Sequence, residues 1–164
     1  MSTESSDQTH PTLTVIDREF RRLNDVLDGL SPDAMERPAF DPEFGSAPWT
    51  VKDLLVHMAA WKRNALRVSE MVKSDPSSVP EVGTPDEILE IDVDQFNRDT
   101  YERWRERSLD EALAEHRAAH EELVSAMESL PSEVIPSPTS RNIWPYPAIW
   151  HVKMHRMDIV DAIG

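Results

Sequence analysis

Two histidines four residues apart are the residues of this chain best placed to do chemistry. They are His151 and His155, in Trp150-His151-Val152-Lys153-Met154-His155-Arg156. On a helix, residues with that spacing sit one turn apart on the same face. Two imidazoles held that way can share one metal ion, since neutral imidazole is the commonest metal ligand in proteins. The plainer reading of an isolated His-x-x-x-His is a pair of core or surface histidines. A third ligand from elsewhere in the chain would decide between the two.

His57 is the first candidate for that third ligand. It lies three residues after Leu54 and four before Trp61, so it borders the apolar side of its own helix. A helical bundle can set one ligand on one helix against two on another. Three imidazoles with open positions make a catalytic rather than a closed structural pattern. Burying them with neither metal nor polar partners would carry a desolvation cost. His116 and His120 form a rival His-x-x-x-His on another helix. The spacing alone allows them to be cavity-lining polar residues, or His120 to join a mixed site. His10 lies near the N-terminus, away from these patterns. The residues between His151 and His155 include no glutamate, which speaks against a His-Glu-x-x-His metalloprotease. Asp53 and Asp158 read as helix cap and surface charge. Asp53 also lies four residues before His57, where it could orient that imidazole. Trp61 and Trp150, together with His120, are candidate pocket walls, although packing is the default role of a tryptophan. Gly-rich phosphate loops, dinucleotide fingerprints and a serine nucleophile elbow are missing.

Charge and composition narrow the possible partners. The chain has 164 residues, with 31 acidic against 17 basic side chains and a net charge of −14. Nucleic-acid binding needs cationic surface to replace phosphate counterions, and anionic membranes need the same. Neither is expected. A small molecule is the expected partner. There is no cysteine, so disulfides, thiolate nucleophiles and cysteine-based zinc sites are excluded, and any thiol chemistry needs an exogenous thiol. No apolar run approaches the roughly 20 residues of a membrane span. The N-terminus lacks the apolar region of a signal peptide. A cytoplasmic location is expected, with residues 1–11 as a disordered tail and 12–164 as one domain.

The elements that must position the histidines read as helices punctuated by the thirteen prolines. Leu13, Ile16, Phe20, Leu23, Leu27 and Leu30 form one buried seam, which Gly29 and Ser31-Pro32 end. A proline-rich loop runs to Pro48. Thr50 caps a second helix with Asp53 in its first turn, and Leu54, Met58, Trp61, Ala65, Val68 and Val72 form its stripe. A third helical stretch covers about 92–107, with Val93, Phe96, Thr100 and Trp104 on one side. Ser108 and Glu111 have the form of a capping box, opening a helix along Leu109, Leu113, His116, His120, Leu123, Met127 and Leu130. Pro145 or Pro147 opens the last helix, with an inner stripe of Ala148, His151, His155, Ile159 and Ala162. Strand signals are weak throughout. The expected class is all-α, with four long helices and one shorter one.

Several of these stretches resemble one family. Trp49-Thr50-Val51-Lys52-Asp53-Leu54-Leu55-Val56-His57-Met58-Ala59-Ala60-Trp61 resembles the second-helix signature of the DinB superfamily. Asp94-Gln95-Phe96-Asn97 and Ser108-Leu109-Asp110-Glu111-Ala112-Leu113 resemble its middle section, and look most like the ClbS/DfsB branch. Ile149-Trp150-His151-Val152-Lys153-Met154-His155 resembles its last-helix ligand pair. The similarity runs from about residue 12 to the end. It implies an up-down-down-up four-helix bundle with a long crossover, often dimeric. It also implies a divalent ion (zinc or nickel, or iron) held by His57, His151 and His155, and so favours that triad over His116 and His120. Activities in the family include thiol-dependent S-transferases and isomerases, and in the ClbS/DfsB branch a cyclopropane hydrolase. The expectation is therefore a metal-dependent transferase or hydrolase acting on small electrophiles, with a low-molecular-weight thiol as co-substrate in the transferase case. The ion would activate a bound water or thiol near neutral pH. The competing expectations are a bundle that binds a small ligand or metal without turnover, and a structural bundle whose histidines are core residues.

Overall fold

The computed structural model describes residues 9–43, 47–78 and 83–163, and these form an all-α structure. Helix α1 (Pro11–Asp28) is opened by Pro11 at its first position, where a missing N–H costs nothing. The His10 side chain accepts a hydrogen bond from the Thr12 N–H and so caps it. Most of the tail expected at 1–11 lies outside the described residues, but Pro11 is already helical. Helix α2 (Pro32–Met35) is a single turn capped by Ser31. The proline-rich loop then contains a feature the sequence did not announce. Strands β1 (Pro38–Phe40) and β2 (Trp49–Thr50) pair antiparallel and brace the start of the next helix.

Helix α3 (Val51–Ser74) begins at a full capping box. Thr50 Oγ1 accepts from the Asp53 N–H at 3.1 Å, and the Asp53 carboxylate accepts from the Thr50 N–H at 2.9 Å. A short turn, α4 (Pro85–Ile88), precedes α5 (Val93–Trp104). Helix α5 is the extra short helix. Thr100 is its buried residue, whereas Val93, expected on the same inner side, is exposed. It is tied to α3 by Trp61, whose indole N–H donates to Asn97 Oδ1 at 2.8 Å while its ring meets Phe96 edge-on. Helix α6 (Leu109–Glu128) opens at the predicted Ser108–Glu111 capping box. Arg63 of α3 clamps α6 through a two-pronged pair with Glu115, at 2.6 and 2.8 Å, and a contact to Glu122 at 2.8 Å. Helix α7 (Trp150–Ile163) starts later than either proline suggested. Tyr146–Ala148 forms a 3-10 turn, and Ile149 breaks from helical geometry before α7 begins.

The seams pack as two apolar clusters rather than one. Leu13, Ile16, Ala65, Val68, Leu123 and Met127 belong to the first, with Trp144 and Ile149. Leu23, Leu27, Leu54, Leu55, Met58, Val152 and Ile159 belong to the second. Along every long helix, the residues between the two sets include polar ones. They are Glu19 on α1, Lys62 on α3, His116 and His120 on α6, and His151 on α7, with His155 one turn further on, and all are buried. His57 joins them from among the apolar residues of α3. A polar layer thus crosses the middle of the bundle. Ala162, the expected end of the α7 inner stripe, is exposed instead, so the buried row stops at Ile159.

Candidate metal centre

The capping box starts α3 at Val51, which sets the phase of the helix and turns His57 inward with Leu54 and Met58. On α7 the four-residue spacing stacks His151 and His155 on the inner face. The two helices bring the three rings together. His57 Nε2 lies 3.0 Å from His151 Nε2, and His155 Nε2 lies 3.1 Å from the same atom. Among the described residues this is the group of histidines and carboxylates whose atoms converge closely enough to hold one metal ion.

The donor set fits a divalent ion. Metal–nitrogen distances of about 2.0–2.1 Å place neighbouring ligand atoms about 2.9–3.4 Å apart for angles from 90° to tetrahedral, and the observed spacings fall in that range. The proton arithmetic agrees. His155 Nδ1 lies 2.9 Å from Asp158 Oδ2, so its N–H donates to the carboxylate and its Nε2 carries a lone pair into the centre. Only one proton could sit on His151 Nε2, and it could satisfy only one of its two close neighbours. A cation satisfies all three lone pairs. Burial also keeps the rings neutral, the form that binds metal. It pushes His57 down to about 3, helped by the nearby His155. His151 is pushed well below its ordinary value by burial, then by His57, His155 and Lys62. His155 is lowered by burial, with Asp158 working in the opposite direction.

Aromatic side chains wall the centre. Trp49 packs against His57 with ring centres 4.9 Å apart, Phe40 meets His155 edge-on at 5.1 Å, and Tyr146 stacks on His151 at 6.3 Å. The β1–β2 hairpin supplies two of the three, which sequence periodicity could not reveal. Trp61 sits one turn beyond His57, against Phe96 and Asn97. Trp150 lines a separate cavity of about 310 Å³ with Val15, Arg18, Thr139 and Lys153, and none of the three histidines borders it. His120 stacks on Phe20 at 3.6 Å, and His116 Nε2 lies 3.0 Å from Asn24 Oδ1, so that pair is engaged with α1. Asp53 is occupied by the capping box and does not orient His57. The carboxylate that orients a ligand is Asp158, which the sequence suggested only as surface charge. Its signal was the three-residue spacing from His155.

No curated protein matches the chain. A solved structure of an uncharacterised protein from Escherichia coli UTI89 shares the fold, with a TM-score of 0.69 and 16% identity over 92% of this chain and 90% of that one. The family model described as DinB superfamily matches residues 15–159, which includes all three histidines. The chain is a member of the DinB superfamily.

Proposed function

We propose that this chain is a divalent-metal-dependent enzyme acting on small electrophilic compounds, by thiol transfer or by hydrolysis, in detoxification or small-molecule metabolism. The observation that carries the reading is the convergence of three buried Nε2 atoms, from His57, His151 and His155, at 3.0 and 3.1 Å. Nitrogen ligands suit zinc and nickel, and also iron. A bound ion would supply a Lewis acid that lowers the pKa of a water or thiol in an open position. The chain's own residues do the rest. The histidines stay neutral through burial, Asp158 holds the His155 proton on Nδ1, and Trp49, Phe40 and Tyr146 exclude bulk water. With no cysteine in the chain, the thiol of the transferase reading comes from a low-molecular-weight co-substrate.

Metal analysis of protein purified without chelator tests the site. One ion per chain is expected in the wild type, and loss of stoichiometric metal in His57→Ala. Full retention in that variant would remove His57 from the ligand set. Turnover is then assayed on the metal-loaded protein with a panel of electrophiles and several thiols. Metal without turnover across a broad panel would identify a binding protein instead.

A further inference from the structure

Lys62 is the most unusual residue of the polar layer. It sits on the inner face of α3 at 1% exposure, and its Nζ has no hydrogen-bond partner. Lysine is almost never fully buried unless it is paired. Among the described residues, no carboxylate lies within ion-pair distance of this ammonium. The layer's one buried carboxylate, Glu19, is shared by Arg18 at 3.7 Å, Arg22 at 3.2 Å and Arg156 at 3.6 Å. The other buried acid, Asp53, belongs to the α3 cap.

The neighbours of Lys62 are histidines and an aromatic ring. Its Nζ lies 4.7 Å from the Phe20 ring centre. His120 stacks flat on that ring, and His116 tilts against it at 5.0 Å. Lys62 bears electrostatically on His116 and His120 of the rival pair and also on His151 of the candidate metal centre. The Nδ1 atoms of His116 and His120 are buried without partners as well. A chain of net charge −14 thus has, next to its candidate metal ligands, a mid-bundle layer with an unpartnered Lys62 Nζ, and burial lowers that amine to about 7, so its charged and neutral forms are comparable near neutral pH.

We propose that Lys62, flanked by His116, His120 and Phe20, forms a carboxylate-binding subsite beside the metal centre, so that the substrate is a small electrophile carrying a carboxylate. An anion in this position holds the buried amine in its ammonium form and gives it the partner the protein withholds, and a low-dielectric site strengthens that pairing. The Phe20–His120 stack gives the subsite an aromatic wall beside the amine. The inference rests on the proposed function for the substrate's role, but the subsite itself does not require the ion.

The test uses formate and benzoate as probes, with formamide and benzamide as uncharged counterparts. Binding to metal-loaded and metal-free protein is measured by calorimetry and by the imidazole signals of His116 and His120 in NMR spectra. Both carboxylates are expected to bind, the amides are not, and the His116 and His120 signals are expected to shift in the wild type. Lys62→Met, which swaps a buried amine for an apolar chain of similar length, is expected to weaken carboxylate binding about 10- to 100-fold while keeping the wild-type metal content. Equal binding in Lys62→Met would place the anion elsewhere and overturn the proposal, as would amides that bind like carboxylates. A wild-type protein that takes up metal but no carboxylate overturns the subsite and leaves the metal site standing. Lys62-dependent carboxylate binding without metal uptake does the reverse. The wild-type NMR shifts decide the matter even if Lys62→Met fails to fold.

Discussion

Asp158 acts on the candidate centre through one hydrogen bond. By accepting the His155 Nδ1 proton at 2.9 Å, it fixes the tautomer that turns His155 Nε2 toward His151. Partners of this kind raise ligand basicity, and their loss typically costs metal affinity about 10- to 100-fold. Asp158→Asn should show that loss in a chelator competition titration. Its urea midpoint without metal should stay close to wild type, because Asp158 is only half-buried. Unchanged metal affinity would mean that packing alone orients the ring. Residue roles were legible here where they depend on local spacing. The four-residue separation of His151 and His155 already placed them on one face, and the three-residue step to Asp158 carried the same kind of signal. Lys62 was not legible. A lone lysine on a helix reads as a solvated charge, and only packing against α1 and α6 reveals it as buried.

Helix α3 is the element on which the layer depends, since it contributes both His57 and Lys62. Its N-terminal frame is set by the Thr50–Asp53 box, which satisfies two of the N–H groups that a helix start leaves free. Thr50→Ala should therefore cost about 1 kcal/mol of stability, read as a lower urea midpoint, with stoichiometric metal retained because packing still holds His57 in the core. A stability loss near zero would show that the β1–β2 hairpin frames the helix by itself. Caps and seams were legible at this scale: α3 and α6 begin where Thr50 and Ser108 predicted, the α3 stripe is buried, and the α6 stripe is buried from His116 onward while Leu109 and Leu113 are half-buried. The hairpin was not. Strands of two and three residues are too short to show a period, and their pairing is made by the contact itself. The start of α7 was misplaced because two prolines offered it, whereas the chain uses them in a 3-10 turn first.

The whole molecule carries its polar layer at a cost that depends on pH. His57, His116 and His120 are pushed from the ordinary 6.5 to about 3, chiefly by burial, and His151 and His155 are lowered for the same main reason. The unfolded chain therefore takes up protons first. The contribution of these groups is fully present above 6.5 and is lost as pH falls from 6.5 toward about 3. Lys62 extends the dependence upward. Burial lowers it from 10.5 to about 7, so its contribution is full above 10.5 and declines as pH falls to 7. Metal-free protein should show a urea midpoint that falls as pH drops below 6.5, and Lys62→Met should flatten the limb between 7 and 10.5. A midpoint indifferent to pH below 6.5 would contradict the burial of the histidines. The sequence by itself determined what is local: helix seams, caps, and the pairing of His151 with His155. These follow from a repeat of 3.6 residues and from hydrogen bonds that span a few positions. Tertiary structure alone decided that His57 meets His151 across 94 residues of chain, that His116 and His120 turn to α1, and that Lys62 is enclosed without a counter-charge. Those outcomes depend on how whole helices rotate and pack against one another, and no short-range pattern encodes that rotation.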